Sequence, residues 1–176
     1  MVKTETKHSD AEQLVRTKLD ELIEFRSQTD YIKEFWGKQF DLGLAWVQYP
    51  EGAGGLGINP KYQLLVTEKL REEGISQQNR VANILGIGMG APTIIEYGTP
   101  EQISKYLRPM FTTDEIWCQM FSEPGSGSDL ASLSTKAVDD GDGYIVNGQK
   151  VWTTLGHLAK WGLLVTRTDP DVPKHR

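Results

Sequence analysis

The amino-acid sequence predicts an α+β fold: an all-helical N-terminal domain, residues 1–115, followed by the first part of an antiparallel β domain, residues 116–176. Three observations lead there. Apolar residues recur at helical spacing between capping signals over roughly the first 110 residues. The period changes to that of strands from Ile116, and turn signals then separate short strand-like runs. Helices followed by strands, without alternation, argue against a wound βαβ sheet.

In chain order, Ser9 and Glu12 form a capping box that predicts a first helix over Asp10 to Arg26, with Leu14, Val15, Leu19, Leu22 and Ile23 as its apolar stripe. Asn59 and Pro60 read as cap and first residue of another helix, whose apolar side is Leu64, Leu65 and Leu70 and which Gly74 stops. Val81, Ile84, Leu85, Gly88 and Met89 keep the helical period until Pro92 interrupts it. Thr99-Pro100-Glu101-Gln102 is a second capping box, opening a helix that Pro109 is expected to end.

From Ile116 the runs IWCQMF, TKAVDD, YIVNGQKVWTT and WGLLVTRT read as strands. GDG marks one turn, and Asn147-Gly148 predicts a two-residue hairpin between Tyr144-Ile145-Val146 and Gln149-Lys150-Val151-Trp152. Three or four short strands leave open sheet edges, so the β domain is expected to be incomplete and the chain to be part of a longer protein.

Composition narrows the function. With 19 basic against 24 acidic side chains the net charge is -5, and no Lys/Arg stripe could neutralise phosphates, which argues against a nucleic-acid partner. No apolar run approaches the roughly 20 residues of a membrane span. The single cysteine, Cys118, permits no internal disulfide, reads as a small apolar strand residue and fits a reducing, cytoplasmic setting. His8, His157 and His175 lack ligand spacing, so no metal site is expected.

Two glycine-rich stretches invite different readings. GAGGLG, Gly52 to Gly57, satisfies G-x-G-x-x-G but lies between Pro50 and Pro60 and leads into helical sequence rather than a second parallel strand, so it reads as a loop. GIGMG, Gly86 to Gly90, costs helix propensity and asks for close helix packing or the approach of a ligand.

FSEPGSGSDL, Phe121 to Leu130, has the Gly/Ser density of a linker, yet strands stand on both sides, so it is a loop within a domain. Gly125 and Gly127 allow turns that point successive N–H groups into one concavity, and Ser122, Ser126 and Ser128 add hydroxyls. Such a nest suits the oxygens of a pyrophosphate or the polar edge of a heterocycle. Asp129 is expected to brace the turn through its own backbone. In VWTT, Val151 to Thr154, Trp152 offers a flat apolar face and Thr154 a hydroxyl on the same side of the strand. A strand Trp alone is more often core than ligand platform.

These motifs together resemble the acyl-CoA dehydrogenase family of flavoproteins: VQYPEGAGGLG, YGTPEQISKYLRPM and EIWCQMFSEPGSGSDLAS stand in the family's order, followed by YIVNGQKVWTT and AKWGLLVTRTD. The resemblance implies a helical domain, a β middle domain and a C-terminal helical bundle, the last absent from these residues, in a homo-oligomer (tetramer or dimer). FAD is the implied cofactor, an acyl-CoA the substrate and an electron-transfer flavoprotein or similar protein the acceptor. It also implies that Gln119 to Ser128 face the flavin, with Phe121 and Ser122 along the ring edge. Gly127 and Ser128 would serve the pyrophosphate, Ser128 also touching the acyl-CoA. Trp152 would pack on the ring from the other side, beside Thr153, with Thr154 hydrogen-bonding it. Leu155 departs from the small residue the family commonly has there.

The implied reaction removes the α-proton of an acyl thioester with a Glu base and passes the β-hydrogen to flavin N5 as hydride, giving a trans-2-enoyl thioester. No catalytic base is identified in residues 1–176, and Glu123 occupies the family's structural Glu-Pro position. The fragment alone is therefore expected to be inactive and to bind FAD weakly. Two alternatives stand beside this reading. One is a non-catalytic binding or assembly partner, should the polypeptide end near Arg176; the other is a flavin oxidase or monooxygenase of the same superfamily.

Overall fold

The computed structural model describes residues 2–169 and 171–173, with side chains from residue 10 onward; His175 and the side chain of His8 lie outside the described residues. The chain divides into two compact units, Met1–Glu115 and Ile116–Arg176. The first is helical and the second carries all the described strands, so the α+β class stands as predicted.

The helical unit runs α1 (Val2–Arg26), α2 (Ile32–Asp41), a short 3-10 turn (Pro60–Tyr62), α3 (Gln63–Glu72), α4 (Asn79–Ala82), a π-helical turn (Gly86–Gly90), α5 (Ala91–Tyr97) and α6 (Pro100–Phe111). Val15, Leu19 and Leu22, one helical face of α1, are buried, while Leu14 is exposed. They belong to a core with Phe35, Trp36 and Phe40 of α2, Val66 and Leu70 of α3, and Leu107, Met110 and Phe111 of α6. Trp46 meets Phe40 and Phe111 edge-on, at 6.0 and 5.3 Å between ring centroids, the geometry that the ring quadrupoles favour. A bidentate pair from Arg108 to Asp41, with both bonds at 2.8 Å, ties α6 to α2.

GAGGLG serves this core. A Cβ at Gly55 would lie 2.0 Å from the Tyr49 carbonyl oxygen, so glycine is required by the closeness of two backbone segments rather than by a nucleotide. Asn59 caps the turn at Pro60, its side chain accepting from the Lys61 N–H, and Gly74 with φ 64° follows α3.

Several boundaries differ from the sequence-based expectation. Helix α1 begins at Val2, so Ser9 lies inside it rather than at its cap. The buried side of α3 is Val66 and Leu70, and Leu64 points to solvent. The period through Val81 and Ile84 does not mark core, both being exposed: α4 ends at Ala82 with Asn83 as its cap, and Pro92 lies in the first turn of α5 instead of breaking a helix, since its missing N–H costs nothing there. Pro109 lies within α6, which continues to Phe111. Buried Asn79 and Asn83 hold that end, donating to the Phe111 carbonyl at 3.0 Å and the Met110 carbonyl at 2.8 Å, groups with no partner inside their own helix. In GIGMG, a Cβ on Gly86 would meet the Asn83 Oδ1 at 2.7 Å, so close packing accounts for that glycine.

The second unit holds β1 (Trp117–Met120), a short 3-10 turn (Leu130–Ser132), β2 (Lys136–Asp139), β3 (Tyr144–Asn147) and β4 (Trp161–Leu164). β2 and β3 form an antiparallel hairpin around the GDG turn, Val138 opposite Ile145. β1 and β4, however, pair in parallel, Cys118 opposite Gly162, a departure from all-antiparallel pairing. Parallel neighbours need a long crossover, and the forty residues or so between β1 and β4 supply one without local sequence signal. Asn147-Gly148 is not a hairpin turn either. Neither residue has the positive φ that such a turn demands, and Gln149 to Thr154 form no strand. Gly148 instead presses on Thr135, where a Cβ would come within 2.2 Å of Oγ1.

The capping box of α6 is complete, Thr99 and Gln102 exchanging side-chain and backbone bonds. Thr99→Ala in the full-length protein is expected to speed hydrogen exchange in the first turn of α6 about fivefold, the equivalent of about 1 kcal/mol. Unchanged exchange there would show that the cap does not hold the helix start.

Candidate functional site

The loop after β1 is built around a tight turn. Glu123 and Ser126 exchange backbone bonds, Glu123 N–H to the Ser126 carbonyl at 2.7 Å and Ser126 N–H to the Glu123 carbonyl at 3.1 Å, with Pro124 and Gly125 between them. Ser126 is buried and its hydroxyl donates to the Asp129 carbonyl at 2.7 Å, so it braces the loop rather than offering a donor outward. The Ser132 hydroxyl reaches the same carbonyl at 2.8 Å. Asp129 thus braces the turn through its backbone oxygen.

Inside this turn the Glu123 carboxylate is fully engaged. Oε2 accepts from the Ser134 N–H at 2.6 Å and hydroxyl at 2.7 Å; Oε1 accepts from the Thr135 N–H and the Lys150 ammonium, each at 2.9 Å. The Lys150 and Glu123 side chains are 7% and 4% exposed, a buried ion pair. Burial raises the carboxyl pKa, but the hydrogen bonds from Thr135, Ser134 and Lys150 outweigh it and hold the group well below the usual carboxylate range. A carboxylate so bound cannot act as a general base near neutral pH.

Lys150 makes a second bond, to the Phe121 carbonyl at 2.9 Å, and the next residue follows suit, Val151 N–H donating to the Ser122 carbonyl at 2.9 Å. The loop from Phe121 and the segment through Trp152 are therefore laced side by side. Immediately beyond the lacing, Trp152 has φ 57° and is 86% exposed. Left-handed backbone is uncommon for a bulky residue and costs on the order of 1 kcal/mol or more. Leu155, at φ 64°, is a second such residue, and its carbonyl accepts from the Leu158 and Ala159 N–H groups. Thr153 is half-buried and Thr154 exposed at the start of that turn.

Among the residues singled out from sequence, Phe121 and Ser122 are tied to Lys150 and Val151, the two residues that precede Trp152. Gln119 lies in β1 opposite Leu163, half-buried, and Gly127 and Ser128 lie on the exposed far side of the Glu123 turn. Sequence reasoning missed Lys150, Ser134 and Thr135. Lys150 reads as a polar residue on an alternating strand, and nothing local tells that its ammonium is buried.

The glycines of the loop bear on what it could hold. Gly125 and Gly127 do not have positive φ, and a Cβ at either would meet nothing within 4 Å. The turn conformations expected of them are thus not the reason for glycine here, and nothing in the described chain fills the space in front of them. The space in front of them leaves room for a close approach to the backbone. Gly127 and Ser128 offer exposed backbone and a hydroxyl, and Trp152 separately offers an exposed flat apolar face. These suit a phosphate-bearing aromatic cofactor such as FAD.

The sequence matches the acyl-CoA dehydrogenase N-terminal domain over residues 5–114 and the acyl-CoA dehydrogenase middle domain over residues 118–176. The chain belongs to the acyl-CoA dehydrogenase family. It is 46% identical over 137 residues to acyl-CoA dehydrogenase FadE34 of Mycobacterium tuberculosis, covering 77% of this chain and 18% of that protein. It is 38% identical over 133 residues to acyl-CoA dehydrogenase IpdE1 of the same organism, covering 76% and 34%. Among solved structures, the ChsE4–ChsE5 complex from M. tuberculosis matches with TM-score 0.59 and 34% identity over 100% of this chain and 45% of that one. The Tcur3481–Tcur3483 steroid acyl-CoA dehydrogenase matches with TM-score 0.56 and 28% identity, over 93% and 45%. The chain spans less than half the length of each of these relatives.

Glu123→Ala strands the Lys150 ammonium in a buried site. It is expected to lower stability by about 3–5 kcal/mol in denaturant unfolding of the full-length protein. Because the folded carboxyl is depressed, its contribution is fully present above the unfolded pKa of about 4.3 and is lost as pH falls below it. The gap between parent and variant should therefore shrink in acid. A gap that is small at neutral pH, or that widens in acid, contradicts the assignment.

Proposed function

We propose that these residues form one side of the flavin site of an FAD-dependent acyl-CoA dehydrogenase that converts an acyl-CoA thioester to the trans-2-enoyl thioester. The observation that carries the reading is Trp152. A large aromatic side chain stands in solvent on left-handed backbone, laced through Val151 to the loop whose glycines face open space. A protein spends strain and exposes apolar surface in this way where a ligand covers it.

In this reading Trp152 packs on the isoalloxazine, with Thr153 and Thr154 beside it. Phe121 and Ser122 lie along the ring edge, with Gln119 in the adjoining strand. Gly127 lets the backbone approach the pyrophosphate, and Ser128 serves both the pyrophosphate and the acyl-CoA. FAD, when bound, supplies the hydride chemistry, and the chain orients the ring and excludes water from it. Glu123 is not the base, since all its accepting positions are occupied by Ser134, Thr135 and Lys150. The base we propose is a Glu of the longer protein outside residues 1–176.

Membership of the family supports the acyl-CoA substrate and the cofactor. For the acceptor we propose an electron-transfer flavoprotein, and for the assembly an oligomer, a homotetramer or homodimer in the first instance. Two of the matched structures are complexes of two differently named proteins, so a native mass measurement is informative about which assembly forms. Among the described residues no helix is long and apolar enough to cross a membrane.

Full-length protein is expected to purify with stoichiometric FAD, to bleach anaerobically with at least one member of a panel of straight-chain and steroid acyl-CoA thioesters, and to pass electrons to an electron-transfer flavoprotein. A flavin-free protein inert to the whole panel would refute the proposal, and rapid reoxidation by oxygen would favour the oxidase alternative. Gly127→Val separates site from fold. Nothing in the chain opposes a side chain there, so unfolding should change by no more than about 0.5 kcal/mol. FAD affinity should fall about tenfold or more. A variant with unaltered FAD affinity would remove Gly127 from the site.

A further inference from the structure

We infer that Lys150, through its buried pair with Glu123, is a positioning residue that sets the indole of Trp152 for the flavin; this rests on the flavin reading above. The ammonium is the only described side chain that bonds both the Phe121 backbone and the Glu123 carboxylate, adding to the backbone bond from Val151 to Ser122. It donates to the Phe121 carbonyl and to Glu123 Oε1, both at 2.9 Å, while Glu123 is itself moored to Ser134 and Thr135 just before β2. Trp152 lies two residues after Lys150, and the residue between them donates to the Ser122 carbonyl.

The left-handed conformation of Trp152 needs such a mooring. No turn glycine or side-chain cap enforces φ 57° there, and with 86% of the residue exposed, burial does not hold the ring. What over-determines the backbone is the anchored lysine on one side and the Leu155 turn on the other. Freed from Lys150, the segment would relax to an ordinary backbone region and swing the indole away, so flavin binding would have to restore the ordered state at its own expense.

A merely structural ion pair makes a different prediction from a positioning one. Removing one charge destabilises because the other stays buried, whereas removing both together commonly restores stability. The double variant Glu123→Gln/Lys150→Met leaves no buried charge and keeps one accepting oxygen for Ser134, so it should be more stable than Lys150→Met alone while lacking the tether to Phe121. The test uses full-length protein labelled with 5-fluorotryptophan, the Trp152 resonance being assigned by its loss in Trp152→Phe. In the parent, without added FAD, that ¹⁹F resonance is expected to be a single narrow line.

In the double variant the unfolding transition should lie above that of Lys150→Met, yet the line should shift and broaden relative to the parent and FAD should bind about tenfold more weakly. An unchanged line and FAD affinity in the folded double variant would overturn the inference. Should the variant fail to fold, hydrogen exchange in the parent decides. The Val151 amide is expected to share the protection of the Thr135 amide, and free exchange at Val151 beside a protected Thr135 would overturn the inference. The ¹⁹F and exchange readouts need no flavin, so a parent that binds no FAD would count against the proposed function while leaving the positioning question decided.

Discussion

A buried carboxylate meeting a buried ammonium is the constraint on which the β unit depends. Taking either ion out of water costs several kcal/mol, which their mutual attraction offsets only with good geometry and further hydrogen bonds. Here the further bonds are what shape the unit. To satisfy Glu123, the backbone of Ser134 and Thr135 at the head of β2 must come to the loop after β1. To satisfy Lys150, the carbonyl of Phe121 must turn toward the chain that follows β3. Three stretches far apart in sequence are thereby joined at one point. The Gly/Ser loop, which as composition reads slack, is rigid on its inner side and open on its outer side.

The helical unit solves a different problem. Its core is aromatic and aliphatic, Phe35, Trp46 and Phe111 among short apolar residues, and its polar elements lie where backbone carbonyls would otherwise be stranded. Asn79 and Asn83 terminate α6, and buried Gln39 donates to the Leu44 carbonyl at 3.1 Å. The glycines of GAGGLG let the loop after α2 fold against itself. The same residue type thus has opposite meanings in the two units. At Gly55 there is no room for a side chain, whereas at Gly127 there is room that no described residue uses.

That contrast marks how far the sequence could be read. The two-part architecture, the Thr99 capping box and the family were legible, because periodicity, caps and motif order are local properties. Asn147-Gly148 was misread because a hairpin signal presumes a partner strand on its far side, and here the following segment answers to Lys150 instead. The parallel pairing of β1 with β4 is a non-local fact that no run of residues announces. The expected role of Gly125 and Gly127 in bending the loop failed for a related reason, since Pro124 and the Glu123–Ser126 bonds already make the turn. Lys150 was invisible because a charged residue in an alternating pattern looks solvated until its burial is known.

A crystal structure of the full-length protein with flavin bound tests the placements of Lys150 and Trp152 at once. It should show the Lys150 ammonium between the Phe121 carbonyl and the Glu123 carboxylate, with Trp152 at positive φ and its indole against the flavin. A structure with Lys150 in solvent, or with Trp152 packed into the protein's own core and the flavin bound elsewhere, would contradict these placements.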